Sequence, residues 1–132
     1  MTYFLDTNIC IFHIKGLSPK VREAIIGSLD NIKIPVMVAA ELLYGVEKSG
    51  RRDENRKRYE EFMSYFITVP FDDSAAEHYA SIRAGLEKKG TPIGDNDMII
   101  AAIVRANNGV LITNNTKEFS RVPGLNIEDW TS

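Results

Sequence analysis

Asp6, Thr7 and Asn8 close the apolar run MTYFL at residues 1–5 and place hard oxygen donors at its end. Further acids stand at similar junctions. Glu41 follows the apolar stretch 34–38 by three residues, Asp95 and Asp97 precede the apolar stretch 98–106, and Glu118 follows 110–113 with Asn114 and Asn115 beside it. Carboxylates and amide carbonyls of this kind suit Mg²⁺ or Mn²⁺ and not a soft metal. Gathered within a few Å, like charges raise one another's pKa and oppose folding unless something offsets them. A divalent cation is the natural compensation. Two carboxylate-held cations would activate water and stabilise both oxygens of an in-line phosphoryl displacement.

Each acid also has a bland reading, and the residues alone leave it open. Asp6 is a good N-cap for a following helix. Glu41, Asp95 and Asp97 lie near expected helix starts, where a carboxylate gains about 0.3–1 kcal/mol from the helix dipole. Glu118 could be an ordinary solvated side chain. On that alternative the chain is a catalytically silent α/β protein-binding module.

The elements that must position these groups are legible from periodicity. Residues 2–5 form a first strand, and a helix follows at about 9–15, ending at Gly16. Ser18 and Pro19 restart a helix with Val21, Ile25, Ile26 and Leu29 on one face. Residues 31–38 (NIKIPVMV) read as a second strand that Pro35 pushes towards a sheet edge. Helices are expected over 39–48, 53–66 and 73–89, the last stopping at Gly90. A strand is expected at 67–71. Beyond the turn-rich 91–94, a helix over 97–106 leads to a buried strand at 109–113, a short helix or turn at 114–119 and a last strand at 125–127. Alternating strands and helices predict one domain over 1–132, a three-layer α/β/α fold with a mainly parallel central sheet. In such a sheet, ligands collect at the carboxyl ends of the strands. The four acidic segments would then face one crevice.

Bulk properties narrow the function classes. The chain has 132 residues, 44% hydrophobic and 26% charged, as in a soluble globular domain. The lone Cys10 excludes an internal disulfide and a cysteine-cluster metal site. No leader-like N-terminus and no run of membrane-spanning length are present, so the chain reads as cytosolic. Net charge is −2, which gives the molecule no overall attraction for nucleic acid. Any such site must be local.

Residues 47–61 (EKSGRRDENRKRYEE) interleave Arg51, Arg52, Arg56 and Arg58 with acids. They read either as a solvated hairpin of paired charges or as a basic arm that grips a phosphate backbone. Tyr44, Tyr59, Phe62, Met63 and Phe66 are either core or the lining of a groove for a partner's apolar segment.

LDTN at 5–8, AELLYG at 40–45, PIGDNDMIIAA at 92–102, LITNNTKEF at 111–119 and PGLNIEDW at 123–130 together resemble the PIN domain. More closely, the chain resembles the VapC-type toxins of bacterial type II toxin–antitoxin pairs. The similarity runs over nearly the whole chain. It implies a Mg²⁺- or Mn²⁺-dependent endoribonuclease that cuts structured RNA, tRNA or rRNA, and so inhibits translation. It also implies a VapB-like antitoxin partner and a toxin homodimer. By motif position, Asp6, Glu41 and Asp97 match the family's core acids and metal ligands, and Thr113 matches the supporting hydroxyl. Thr7, Asn8 and Asp95 are further supporting candidates. Asn115 stands where many PIN domains carry a fourth acid, and Glu118 is the candidate substitute, which makes it the fourth catalytic acid. Haloacid-dehalogenase-like phosphatases also begin with an acid after an apolar strand. They need a second acid where this chain has Asn8.

Overall fold

The computed structural model describes all residues, Met1–Ser132. Its strands are β1 (Tyr3–Leu5), β2 (Ile32–Pro35), β3 (Ile67–Val69), β4 (Val110–Ile112) and β5 (Asn126–Glu128). Its helices are α1 (Thr7–Lys15), α2 (Pro19–Gly27), α3 (Val36–Lys48), α4 (Arg52–Met63), α5 (Asp73–Lys89), α6 (Asp95–Ala106) and α7 (Thr116–Phe119). A short 3₁₀ turn, Leu29–Asn31, leads into β2. The strands form one sheet in the order β3-β2-β1-β4-β5, parallel throughout.

This topology follows from the sequence. β1, β2 and β4 are mostly apolar because a parallel sheet is covered on both faces, with Phe4, Leu5, Ile34, Leu111 and Ile112 at the centre of the core and Lys33 the exposed exception. The chain steps from β1 outwards to β2 and β3, then crosses back through α5 and α6 to β4 on the other side of β1. Right-handed crossovers in opposite directions place their helices on opposite faces, giving the three layers. The order therefore reverses between β1 and β4, and a crevice opens there at the carboxyl ends of the strands.

Helix ends obey local chemistry. Ser18 and Asp72 accept from the backbone N–H of Val21 and Ala75, and Gly16 and Gly90 end α1 and α5 in the left-handed conformation (φ 66° and 70°). Gly109, at the entry to β4, is required for a different reason. A Cβ there would lie 2.3 Å from Cε2 of Phe4.

Two expectations need correction. β2 is an interior strand between β1 and β3, not an edge. Pro35 is tolerated because it occupies the last ladder position and caps α3 with φ −61°. The segment expected to stay extended to residue 38 turns helical at Val36, so Glu41 lies in the second turn of α3 and not near its start. The other expected elements are present, with ends that differ by up to three residues. Cys10 is buried, and Trp130 packs the tail edge-on against Tyr3, ring centroids 5.3 Å apart. No helix is long and apolar enough to cross a membrane.

Candidate active site

Asp6 leaves β1 at the strand-order reversal and is 5% exposed, the one buried acid of the chain. Its two carboxylate oxygens have separate partners. Oδ1 accepts from the Thr7 backbone N–H at 2.7 Å, and Oδ2 accepts from the Thr113 hydroxyl at 2.7 Å. Asp6 thus caps α1 with one oxygen, while the other is bonded across the sheet to Thr113. Burial pushes its pKa up; the Thr113 and Thr7 hydrogen bonds oppose that rise, and the Glu41 charge adds to it.

Glu41 projects from α3 towards the same crevice. Its Oε1 accepts from the Thr7 hydroxyl at 2.5 Å and its Oε2 from Asn96 Nδ2 at 3.4 Å. Asn96, flanked by Asp95 and Asp97 in GDND, is a contact that sequence reasoning missed. Its position between two acids was the only available signal.

Asp97, the third residue of α6, is half-buried. Its pKa rises from 3.8 to about 6, first through burial and then through the charges of Asp6, Glu118 and Glu41, with a hydrogen bond to Glu118 adding to the rise. Gly94 faces this carboxyl, where a Cβ would come within 3.4 Å of Oδ2. Glu118, from α7, accepts from Asn115 Nδ2 at 3.2 Å, while the Asn115 backbone N–H donates to the Thr113 hydroxyl at 2.9 Å. Thr113 is therefore a relay: it donates to Asp6 and accepts from the loop that carries Glu118.

Asp6, Glu41, Asp97 and Glu118 thus form one acidic constellation assembled from four segments. None of them makes an ion pair. Asp95 and Asn8 are exposed and hydrogen-bond to none of these groups. The donor set is all oxygen, and the charge stored in Asp97 is of the kind a hard divalent cation offsets. As they stand, no three of the acids converge tightly enough to form a ready metal cage. Asp6, Glu41 and Glu118 are turned to the Thr and Asn partners just described, and Asp97 to Glu118.

The predicted basic arm is present on α4 but largely neutralised. Arg51 and Arg58 lie 3.6 and 3.7 Å from Glu54, Arg52 lies 3.7 Å from Glu47 and Arg56 lies 3.4 Å from Glu60. Of the apolar candidates, Phe62 is buried in the core, Tyr59, Met63 and Phe66 pack against it, and Tyr44 is exposed. Two cavities flank α4. One of about 680 Å³ lies between α1, α2 and α4 and is lined by Ile25, Ile26, Phe62, Tyr65 and Phe66 among others. One of about 330 Å³ lies between α1, α3 and α4 and has Glu41 in its wall.

Residues 3–125 match the PIN domain family model. The chain is 40% identical over 131 residues to a tRNA(fMet)-specific endonuclease VapC of Shigella flexneri, covering 99% of each chain. It is 38% identical over 132 residues to ribonuclease VapC2 of Rickettsia felis, covering 98% of each. Among solved structures, VapBC2 from Rickettsia felis, bound to a DNA fragment from its promoter, superposes with a TM-score of 0.94 at 38% identity, over 98% of this chain and 99% of that one. DNA-bound VapBC from Salmonella typhimurium gives a TM-score of 0.94 at 40% identity, over 98% of both chains. A parallel five-stranded sheet with its acids at the strand-order reversal, matched over nearly the full length, places this chain in the PIN-domain family, among the VapC ribonucleases.

Proposed function

We propose that the chain is a Mg²⁺- or Mn²⁺-dependent endoribonuclease toxin of the cytoplasm that cuts tRNA and thereby stops translation. The observation that carries this reading is Asp97. Burial and the charges of Asp6, Glu118 and Glu41 gathered around it raise its pKa to about 6. Helix caps do not need that arrangement, whereas a site for a hard cation does. The activity named for the Shigella flexneri relative supports tRNA as the substrate class.

Asp6, Asp97 and Glu41 would hold the cation, with Glu118 completing the set in place of the acid absent at position 115. When bound, it lowers the pKa of water and stabilises charge on the scissile phosphate. Thr113 keeps Asp6 oriented and opposes the rise in its pKa that burial causes. Glu41, fixed by Thr7 and Asn96, takes the proton of the attacking water. Attack on phosphorus breaks its bond to the 3′ oxygen, which takes a proton from solvent, and leaves a 3′-hydroxyl and a 5′-phosphate. The RNA 2′-hydroxyl is not the nucleophile, in keeping with His13 and His78 lying outside the site. The toxin acts as a homodimer. A VapB-like antitoxin lays an apolar helix into the larger cavity beside α2 and α4.

Incubation of the purified protein with initiator tRNA and Mg²⁺ tests the reading. Cleavage should fall by at least about 10²–10³-fold in Asp6→Asn and Asp97→Asn, comparable to loss of a main electrostatic element of a site. Equal cutting by wild type and both variants would overturn it, since a contaminating nuclease would then be the source.

A further inference from the structure

The geometry points to a nucleotide subsite beside Glu41: the smaller cavity, rimmed by Lys15, Lys48 and Arg58, takes one nucleotide and its phosphate next to the bond being cut. This rests on the ribonuclease reading above and says where the strand runs. Asp6, Glu41, Asp97 and Glu118 repel a phosphate backbone, and the chain as a whole carries −2. A polyanionic substrate therefore needs cations at the margin of the acids.

The arginines of α4 supply few. Arg51, Arg52, Arg56 and Arg58 each face a carboxylate within 3.7 Å, so Arg58 is a partly compensated cation. Lys15, at the end of α1, and Lys48, at the end of α3, are in no ion pair. Both line the 330 Å³ cavity that contains Glu41, and Arg58 lines it as well. Lys48 lies 5.0 Å above the Tyr44 ring, a contact that holds the ammonium in place without cancelling its charge. The floor is apolar, made by Ile11, Leu42 and Val46, and the Tyr59 ring offers a half-buried surface for a base. Gly45 keeps the floor open, for a Cβ there would meet nothing within 4 Å.

Charge separates the two cavities: the smaller, about 330 Å³, carries Glu41 and Lys48 in its wall, whereas the larger, about 680 Å³, has neither. The two cavities share Ile14, Lys15 and Arg58. A helix in the larger one consequently lies against cations that the nucleotide needs, which ties antitoxin binding to exclusion of RNA.

The test uses an initiator tRNA transcript as probe, with Mg²⁺ present, and Asp97→Asn as the parent to slow cleavage. Adding Lys15→Ala and Lys48→Ala should weaken binding about tenfold or more. It should also flatten the log–log salt dependence by roughly 1.4–1.8, since each of two phosphate contacts carries about 0.7–0.9. Lys88→Ala with Lys89→Ala, which removes the same charge from the far end of α5, should change binding less than about twofold. With Asp97 intact, the Lys15/Lys48 pair should raise KM and leave kcat within about threefold, as expected for binding shared by ground and transition states. Binding and slope equal to the parent's would overturn the subsite. So would an equal loss in the Lys88/Lys89 control, or a loss of antitoxin affinity with tRNA binding intact. If the parent does not bind tRNA and wild type does not cut it, the ribonuclease reading itself falls.

Discussion

Thr113 Oγ1 donates a buried 2.7 Å hydrogen bond to Asp6 Oδ2, joining residues 107 positions apart at the ends of neighbouring strands. β1 and β4 are in register from Tyr3 opposite Val110 to Leu5 opposite Ile112, so the next residue of each strand must meet across the reversal. The bond is thus a direct product of sheet topology. It also sets the electrostatics of Asp6, because it is the strongest influence opposing the desolvation that would protonate that carboxyl.

Thr113→Val keeps the volume but removes the donor, leaving a buried carboxylate short of a partner. Activity should fall about 10–100-fold, the usual cost of removing a group that orients a metal ligand. Part of that loss should return as Mg²⁺ is raised. Thr113→Ser should stay within a few-fold of wild type. The check is kcat/KM on tRNA across a Mg²⁺ series; an unaltered Mg²⁺ requirement in the valine variant would refute the role.

Asp97 makes a prediction about stability. Its folded pKa of about 6 exceeds the unfolded value near 3.8, so the folded chain binds the extra proton between them. Its contribution is therefore most favourable below about pH 3.8 and is lost as pH rises through about 6. The shift corresponds to about 3 kcal/mol at 1.36 kcal/mol per tenfold, which partial exposure reduces to roughly 1–2 kcal/mol. Melts in chelator should show Asp97→Asn stabilised over wild type at pH 7.5, with the gap reduced to about half at about pH 5 and closed below about pH 3.8. Mg²⁺ should stabilise wild type and not the variant. If chelated wild type and Asp97→Asn show the same pH dependence, the assigned repulsion is wrong.

The sequence and the structure agree where local chemistry decides. Apolar runs bounded by Gly, Pro and Asp indicate each strand and helix to within about three residues, and the structure brings Asp6, Glu41, Asp97 and Glu118 together. What was not legible depends on tertiary geometry. Pro35 looked like an edge marker because nothing local reveals that it occupies the last position of β2 and starts α3. The sequence left Arg51, Arg52, Arg56 and Arg58 open between paired charges and a basic arm, because pairing with Glu47, Glu54 and Glu60 depends on side-chain placement; the structure pairs all four. Asn96 was invisible because its partner, Glu41, lies 55 positions away.

Gly109 is required by packing and not by backbone conformation. Its missing Cβ would sit 2.3 and 2.5 Å from two carbons of the Phe4 ring and 3.1 Å from the Thr2 carbonyl oxygen. Phe4 is itself enclosed and cannot swing away. Gly109→Ala should cost about 1–3 kcal/mol or more, as overpacking of a core does. That corresponds to a drop in Tm of roughly 4–15 °C for a domain of this size. In a Phe4→Leu background the same substitution should cost markedly less, and strict additivity in that double-mutant cycle would disprove the clash.

Ile26 and Tyr65 are 57% and 67% exposed on the rim of the larger cavity, an uncommon placement for side chains of that size. A helix docked there would cover them, and burying one such side chain gives about 1.5–3 kcal/mol. Ile26→Asp removes that gain and obliges a carboxylate to face an apolar partner. Affinity for the cognate antitoxin should therefore fall at least about 10–100-fold, by calorimetry or by co-purification at limiting concentration. Ile26 touches neither the acids nor the smaller cavity, so cleavage by the free variant should match wild type. The variant toxin should then resist neutralisation at antitoxin levels that silence the parent. An antitoxin that binds Ile26→Asp as tightly as wild type would place its helix on a different face.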